Sequence, residues 1–422
     1  MKFVVSRSEV EGLVQSVPSK SCTHRALILS SLAHGTSKIM SPLIGQDTET
    51  TRNILSAMGI SFEKEDMGWR VESEGIRAPM KELDCENSGT TLRIMTGVSA
   101  LLKEKIVLTG DDSLKKRPMS PLLSSLEKLN VECGSVHGNG CAPLFVNGPM
   151  TGEETEIRGD ISSQFISSLL IACPLKEKDT TITLTSPLTS APYAEMTISM
   201  LKTFGVSCER DNECFFVPGN QAYSPRSYTV PGDYSSAAFP LSAGALSGTV
   251  TVQGLDPDDI QGDRKIIEIL KHFGAEVKVR GWNVTVSRGE LTGCMIDMSS
   301  VPDLFPIVAT VATQAEGKTV LFNAKHLRYK ESDRIATVTE FLRNMGADIQ
   351  EREDGCVIEG PCTLKGARID THGDHRIMMA SAIAGTVADG RTIIEDCECH
   401  EVSYPMFKED FLSLGGIAEV RR

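Results

Sequence analysis

A helix-to-strand junction recurs six times along the 422 residues. Each copy is an apolar helix end, usually a Gly, then an apolar residue opening a strand. It occurs as Leu55-Ser-Ala-Met-Gly59-Ile, Leu126-Glu-Lys-Leu-Asn130-Val, Leu201-Lys-Thr-Phe-Gly205-Val, Leu270-Lys-His-Phe-Gly274-Ala, Leu342-Arg-Asn-Met-Gly346-Ala and, more weakly, Leu412-Ser-Leu-Gly-Gly416-Ile. The intervals are 71, 75, 69, 72 and 70 residues, so six units of about 70 use up nearly the whole chain. Gly, or Asn as its usual substitute, suits the left-handed residue that ends a helix. Alternating apolar residues around Asp354-Gly355 predict a hairpin after the junction.

A second signature interleaves with the first. Polar clusters at Ser19-Lys-Ser21, Asn87-Ser-Gly-Thr90, Ser162-Ser-Gln164, Asp233-Tyr-Ser-Ser236, Pro302-Asp303 and Gly373-Asp-His-Arg376 each precede a helix of small apolar residues. Helices such as Ala26–Ala33 and Ile377–Ala388 are apolar on most faces and are expected to be buried. Each unit therefore reads as β-α-β-α-β-β. The sixth is split: Phe411–Val420 ends the chain, and the strand Phe3–Val5 is expected to complete it. The fold class is α/β, with two lobes of three units: residues 16–231, and 1–15 with 232–422. Pro18 and Pro231-Gly232 interrupt the pattern and mark expected hinges near Ser16–Ser21 and Val230–Asp233.

Composition narrows the function classes. Apolar residues at 40% and charged residues at 23% describe a globular chain. A formal charge of −13 argues against coating nucleic acid or an anionic membrane, yet leaves room for a local basic cluster that takes an anionic substrate. Met1–Gly12 lacks the pattern of a signal peptide, and charge-free runs such as Leu304–Ala315 are too short to span a bilayer. Twelve scattered cysteines read as reduced cytoplasmic thiols. The tightest cluster, Cys397, Cys399 and His400, resembles half a zinc site, but no second close pair completes it, so ordinary buried thiols are the expectation.

Any one polar cluster is explained by helix capping alone. Three features point beyond caps, toward an anion at helix N-termini. Lys20-Ser21 and Arg25 place two cations and a hydroxyl about one turn apart. Gly89 sits where a ligand can approach the backbone closely. His375 and Arg376 stand at a helix start, where cations oppose the dipole and a bound anion would favour them. Arg117-Pro118-Met119 and Lys330-Glu-Ser-Asp-Arg334 add cations at equivalent strand-to-helix loops. Asp303, Glu331 and Asp47 are carboxylates facing these clusters, each a cap, an ion-pair partner or a proton carrier.

Ser19-Lys-Ser-Cys-Thr-His-Arg25, Asn87-Ser-Gly-Thr-Thr-Leu-Arg93, Arg117-Pro118-Met119, Ser162-Ser-Gln164, Pro302-Asp303, Lys330-Glu-Ser-Asp-Arg334 and Asp374-His-Arg376 together resemble the 5-enolpyruvylshikimate-3-phosphate (EPSP) synthase family, in order and along the full length. The resemblance implies a two-lobed inside-out α/β barrel of six βαβαββ units. It implies transfer of enolpyruvyl from phosphoenolpyruvate to the 5-hydroxyl of shikimate 3-phosphate, without metal or organic cofactor, by a cytoplasmic monomer that binds neither nucleic acid nor membrane. It also implies a target for glyphosate, which occupies the phosphoenolpyruvate site.

By the same resemblance, Lys20, Ser21, Arg25, Ser162, Ser163, Gln164, Ser190, Tyr193, Asp303 and Lys330 line the shikimate-phosphate site. Lys20, Asn87, Gly89, Arg117, Gln164, Arg334, His375 and Arg376 surround phosphoenolpyruvate. Asp303 is the expected acceptor of the hydroxyl proton, and Glu331 with Lys20 handles protons at the enolpyruvyl carbons. Three positions depart from the family pattern. Val402 stands where a lysine is usual, with Lys408 nearby in sequence; His326 stands where an asparagine is frequent; Pro18 replaces a glycine.

Two other readings compete. A UDP-N-acetylglucosamine enolpyruvyl transferase would share the repeats but typically carries a loop cysteine near Arg117-Pro118-Met119, and lacks the Ser-Lys-Ser and Ser-Ser-Gln clusters. A sixfold-repeat DNA clamp would need none of the charged clusters at its helix starts.

Overall fold

The computed structural model describes residues 1–421. The chain divides into two compact units, Lys20–Val230 and Met1–Ser19 with Pro231–Arg422. The first contains helices α1 (Lys20–Leu32), α2 (Gln46–Ala57), α3 (Gly89–Ser99), α4 (Ser120–Lys128), α5 (Ser163–Ala172) and α6 (Ala191–Thr203). The second contains α7 (Tyr234–Ser247), α8 (Ile266–Phe273), α9 (Phe305–Ala312), α10 (Arg334–Asn344), α11 (His375–Gly385) and α12 (Phe407–Ser413).

Each unit holds three four-stranded sheets built on one plan. In one of them Glu154–Ile157 runs parallel to Thr180–Leu184, which pairs antiparallel with Cys214–Val217, itself hairpinned to Glu209–Asp211. The parallel pair needs a crossover, which α5 supplies; the last two strands need only a tight turn. The β-α-β-α-β-β reading describes this unit directly.

The odd-numbered helices are buried nearly all round. Every residue of α7 and α11 is buried, so neither has a polar face. Within that unit α7, α9 and α11 contact one another, and in the other unit α3 packs on α5. Even-numbered helices are amphipathic: α8 buries Ile266, Ile267, Ile269, Leu270 and Phe273 and exposes the rest. Helices lie inside and sheets outside, and each unit has its own apolar core.

The split sixth unit closes as expected. Lys2–Ser6 lies between Arg391–Ile394 and Ile417–Arg421, with Phe3 opposite both Ile394 and Val420. Two further strands come from positions the repeat pattern does not reveal. Val10–Gln15, which precedes α1, runs parallel to Gly248–Gln253; Ser227–Thr229, which precedes α7, runs parallel to Gly35–Met40.

Two junctions differ by one residue from the sequence reading. The left-handed residues are Gly59, Asn130, Gly205, Gly274 and Gly346 as expected, but in the sixth copy Gly415 takes this role (φ 90°). Gly416 serves packing instead: a Cβ there would lie 2.3 Å from Phe411 Cε1. In the fifth unit the hairpin turns at Glu353-Asp354, and Gly355 opens the next strand, where a Cβ would meet the Leu321 carbonyl at 1.9 Å. No helix of the described residues is long and apolar enough to cross a membrane.

Candidate active site

The polar clusters do cap helices. Ser88, Ser162, Asp233 and Asp374 each accept a backbone N–H in the first turn of α3, α5, α7 and α11. Caps leave the arginines beside them unexplained.

In the Lys20–Val230 unit, Arg25 on the second turn of α1 is 1% exposed. Its guanidinium donates to Thr197 Oγ1 (2.8 Å), Ser167 Oγ (3.0 Å) and the carbonyls of Ser21 (3.0 Å) and Tyr193 (3.2 Å). These partners are all neutral, and among the described residues no carboxylate pairs with Arg25. Burial accordingly lowers its pKa from the ordinary arginine value.

Arg117, 5% exposed, likewise has only neutral partners among the described residues: Asn87 Oδ1 and Ser113 Oγ (3.3 Å). Asn87 is oriented in turn by donating to Asp111 Oδ2 (2.7 Å). Gly89 opens α3 under these groups; a Cβ there would lie 2.9 Å from Arg117 Nη1 and 3.3 Å from Arg93 Nη1. Arg93 donates to Gln164 Oε1 (2.7 Å) and stacks over Phe165, and Gln164 donates to Thr90 Oγ1 (2.7 Å). Lys20 pairs with Asp47 at 3.1 Å. Ser162 and Ser163 begin α5, both buried. Ser190 holds a left-handed conformation just before α6 and accepts the Tyr193 N–H at 3.0 Å.

The other unit builds a different kind of site. Arg334, 1% exposed, bridges three carboxylates: Asp303 (2.7 Å), Glu331 (2.7 Å) and Asp374 (2.8 Å). Arg376 meets the second oxygen of Asp303 at 2.8 Å. Burial pushes Asp303 upward, but Arg376, Arg334 and Lys330 outweigh it and hold the carboxyl well below the usual range. His375 is buried beside Asp374. The sequence reading takes the cations at this helix start as evidence of a bound anion. In the structure the Arg376 amide donates to the Asp374 side chain, and the Arg376 guanidinium pairs with Asp303, so the fold itself compensates part of that charge.

His326 is 3% exposed, and neither ring nitrogen has a hydrogen-bond partner among the described residues. Burial, with Lys330 adding to it, pushes its pKa down to about 3, so the ring is neutral at working pH. Lys408 faces Cys397 and Glu398.

The fold thus gathers Ser21, Arg25 and Tyr193 into one group, Asn87, Gly89 and Arg117 with Gln164 into a second, and Asp303, Glu331, Arg334 and Arg376 into a third. Ser190 joins the first only through its backbone. Sequence reasoning assigned no role to Arg93 or Asp374, although both lie inside quoted motifs. Arg93 is one helical turn from Gly89, which puts the two on one face. Asp374 doubles as cap and Arg334 partner, and only the second use distinguishes it from an ordinary cap.

The model of the EPSP synthase (3-phosphoshikimate 1-carboxyvinyltransferase) family matches residues 4–411. The chain belongs to the EPSP synthase family. Among family members, the 3-phosphoshikimate 1-carboxyvinyltransferase of Methanocorpusculum labreanum is 49% identical over 98% of this chain and 99% of its own. That of Methanocaldococcus jannaschii is 44% identical over 99% of both. An EPSP synthase structure from Acinetobacter baumannii superposes with a TM-score of 0.83 at 28% identity, covering both chains fully. The enolpyruvyl transferase NikO from Streptomyces tendae shares the fold at 16% identity (TM-score 0.79, 99% of this chain and 98% of that one). Family membership makes the chain a transferase with the two-lobed α/β architecture of EPSP synthases.

Proposed function

We propose that this chain transfers the enolpyruvyl group of phosphoenolpyruvate to the 5-hydroxyl of shikimate 3-phosphate and releases phosphate, the shikimate-pathway step that leads to chorismate. The observation that carries the reading is the pair of nearly buried guanidiniums, Arg25 and Arg117, whose hydrogen-bond partners among the described residues are all neutral. Burying a charge without an opposite one is costly unless a ligand completes it. Each substrate is an anion that would do so. In a chain of net charge −13 these cations stand at fixed places near the starts of α1 and α4, which supports specific anions over a nucleic-acid backbone.

In this reading Ser21, Arg25, Ser162, Ser163, Gln164, Ser190 and Tyr193 hold shikimate 3-phosphate, with Lys20 touching both substrates and Asp303 and Lys330 at the ring hydroxyls. Asn87, Gly89, Gln164, Arg117, Arg334, His375 and Arg376 hold phosphoenolpyruvate. The 5-hydroxyl loses its proton to Asp303 as its oxygen adds to C2, and the methylene carbon gains a proton from the Glu331 and Lys20 end. The tetrahedral adduct then expels phosphate as the methyl group gives a proton back. Fixed cations around C2 stabilise the charge that develops there. Asp303 is a weak base while two guanidiniums grip it; an anion that takes a share of Arg376 raises its basicity when the acceptor hydroxyl is present. The reading includes a cytoplasmic monomer without a cofactor, which size-exclusion chromatography of the active protein checks for the oligomeric state.

The deciding assay is phosphate release from phosphoenolpyruvate with shikimate 3-phosphate or UDP-N-acetylglucosamine as acceptor. Release with the first alone is expected; release with the second alone overturns the reading.

Arg25→Ala raises KM for shikimate 3-phosphate by about 10- to 100-fold, since one charge-assisted hydrogen bond is worth roughly 1.5–3 kcal/mol. An unchanged KM would remove Arg25 from the acceptor site. Gly89→Ala pushes the flexible end of Arg117 aside and leaves the fold intact. KM for phosphoenolpyruvate rises by about tenfold, roughly 1.4 kcal/mol. The concentration of glyphosate for half-inhibition rises with it, while the melting temperature stays put. A stability loss without a KM change would show that Gly89 serves packing only.

A further inference from the structure

We propose that Asp263 is a positioning residue for this reaction: a buried carboxylic acid that keeps a proton beside Asp303 and Arg376, so that the Arg376 guanidinium remains available to Asp303 and to the incoming anion. This rests on the functional reading of Asp303 and Arg376 given above.

Asp263 is 2% exposed and lies in the short turn Gly262–Lys265. Gln261 just before it fixes that turn against the start of α7, accepting from the Tyr234 N–H (3.1 Å) and donating to the Gly232 carbonyl (2.7 Å). This seats Asp263 Oδ2 against Ser235 Oγ in the first turn of α7. The charged groups that face Asp263 are Asp303 from the turn before α9, Arg376 from α11 and Asp233 from the start of α7. Its own neighbours are turned elsewhere, Arg264 to the Pro257 carbonyl and Lys265 to Ser300 Oγ.

The surrounding charges are unbalanced. Asp233, Asp263, Asp303, Glu331 and Asp374 are five carboxyl groups around the cations Lys330, Arg334 and Arg376. Arg334 is committed to Asp303, Glu331 and Asp374, and Arg376 to Asp303. Substrates bring further negative charge, so the cluster must hold protons somewhere. Burial, and then the charge of Asp303, push Asp263 up to about 7. Burial raises Asp233 as well, but that carboxylate accepts both the N–H (3.0 Å) and the hydroxyl (2.6 Å) of Ser236, contacts that favour its ionised form. Asp263 is therefore the better place for the proton. Ionised, it would compete for Arg376 and repel phosphoenolpyruvate.

The test measures kcat/KM for phosphoenolpyruvate from pH 5.5 to 9, at saturating shikimate 3-phosphate, in the parent, Asp263→Asn and Ser235→Ala. In the parent, ionisation of Asp263 contributes a limb that falls above about pH 7, approaching roughly tenfold per pH unit. Asp263→Asn loses that limb. Ser235→Ala moves it to higher pH, because the serine hydroxyl stabilises the carboxylate. A folded Asp263→Asn whose profile superimposes on the parent's overturns the proposal; if that variant does not fold, an unmoved limb in Ser235→Ala does the same. A melting measurement is independent of turnover. Between about pH 4 and 7 the folded parent keeps a proton that the unfolded chain has lost, so its stability declines as pH rises, and asparagine removes that decline. The melting temperature of Asp263→Asn relative to the parent therefore increases from pH 5 to 8; a constant difference shows that Asp263 holds no such proton. A parent without activity on these substrates sinks the functional reading instead, and leaves the melting result to decide on the proton.

Discussion

Asp303→Asn lowers kcat by about 10²- to 10⁴-fold, the usual range for removing a general base. Shikimate 3-phosphate still binds, because Arg25 and the serines at the start of α5 do not depend on Asp303. Asparagine keeps the shape and can still accept from Arg334 and Arg376, so the loss is one of charge and proton affinity. Glu331→Gln also slows turnover, but its main effect on binding falls on phosphoenolpyruvate, since Glu331 reaches the network through Arg334. Steady-state kcat with KM for each substrate, plus calorimetric binding of shikimate 3-phosphate alone, separates the two. A near-parental kcat in Asp303→Asn removes it as the base. A Glu331→Gln change confined to the shikimate 3-phosphate KM reverses the assignment of ends.

Arg334→Ala abolishes measurable turnover and destabilises the fold by about 3–5 kcal/mol, the cost of breaking a buried ion pair from one side. Three carboxylates lose their common cation, Asp374 fully buried and Asp303 and Glu331 partly so. The pH dependence identifies the cause. Asp303 is held below its unfolded value, so its contribution to stability is complete above about pH 4 and is lost as pH falls toward its folded value. Without Arg334, Asp303 takes up a proton more readily. The stability gap between variant and parent is therefore widest near neutrality and narrows in acid, as urea midpoints at pH 7 and pH 4 would record. A gap independent of pH would mean that the arginine serves by packing its stem and not by its charge.

The sequence is informative about the site because its chemistry is concentrated at helix starts, where the repeat spacing makes each cluster visible. Arg25, Arg117 and the Lys330–Arg334 segment are legible in this way. What the side chains do to one another is not. His375 and Arg376 look alike on paper, yet Arg376 reaches Asp303 while His375 lies buried beside Asp374. Asn87 reads as a ligand contact; only the structure shows that its carboxamide also bridges Arg117 and Asp111. Asp263 carries no sequence signal at all; its meaning comes from Ser235, Asp303 and Arg376, which lie 28, 40 and 113 positions away.

The sequence by itself determined the six units, their βαβαββ order and the split of the sixth. These follow from local physics: apolar periodicity, left-handed glycines at helix ends and polar residues at helix starts act within a few residues of one another. Tertiary structure alone decided where Val10–Gln15 and Ser227–Thr229 go. Each stands directly before a helix that opens a repeat, and each pairs with the sheet of the repeat that opens at the other's helix. Short strands of ordinary propensity carry no label for their partner. Their register is set by backbone hydrogen bonds to residues about 190 to 240 positions away, and that choice exists only once the sheets have formed. The same holds for the carboxylates around Arg334, whose charge state depends on which cations the folded core places within reach.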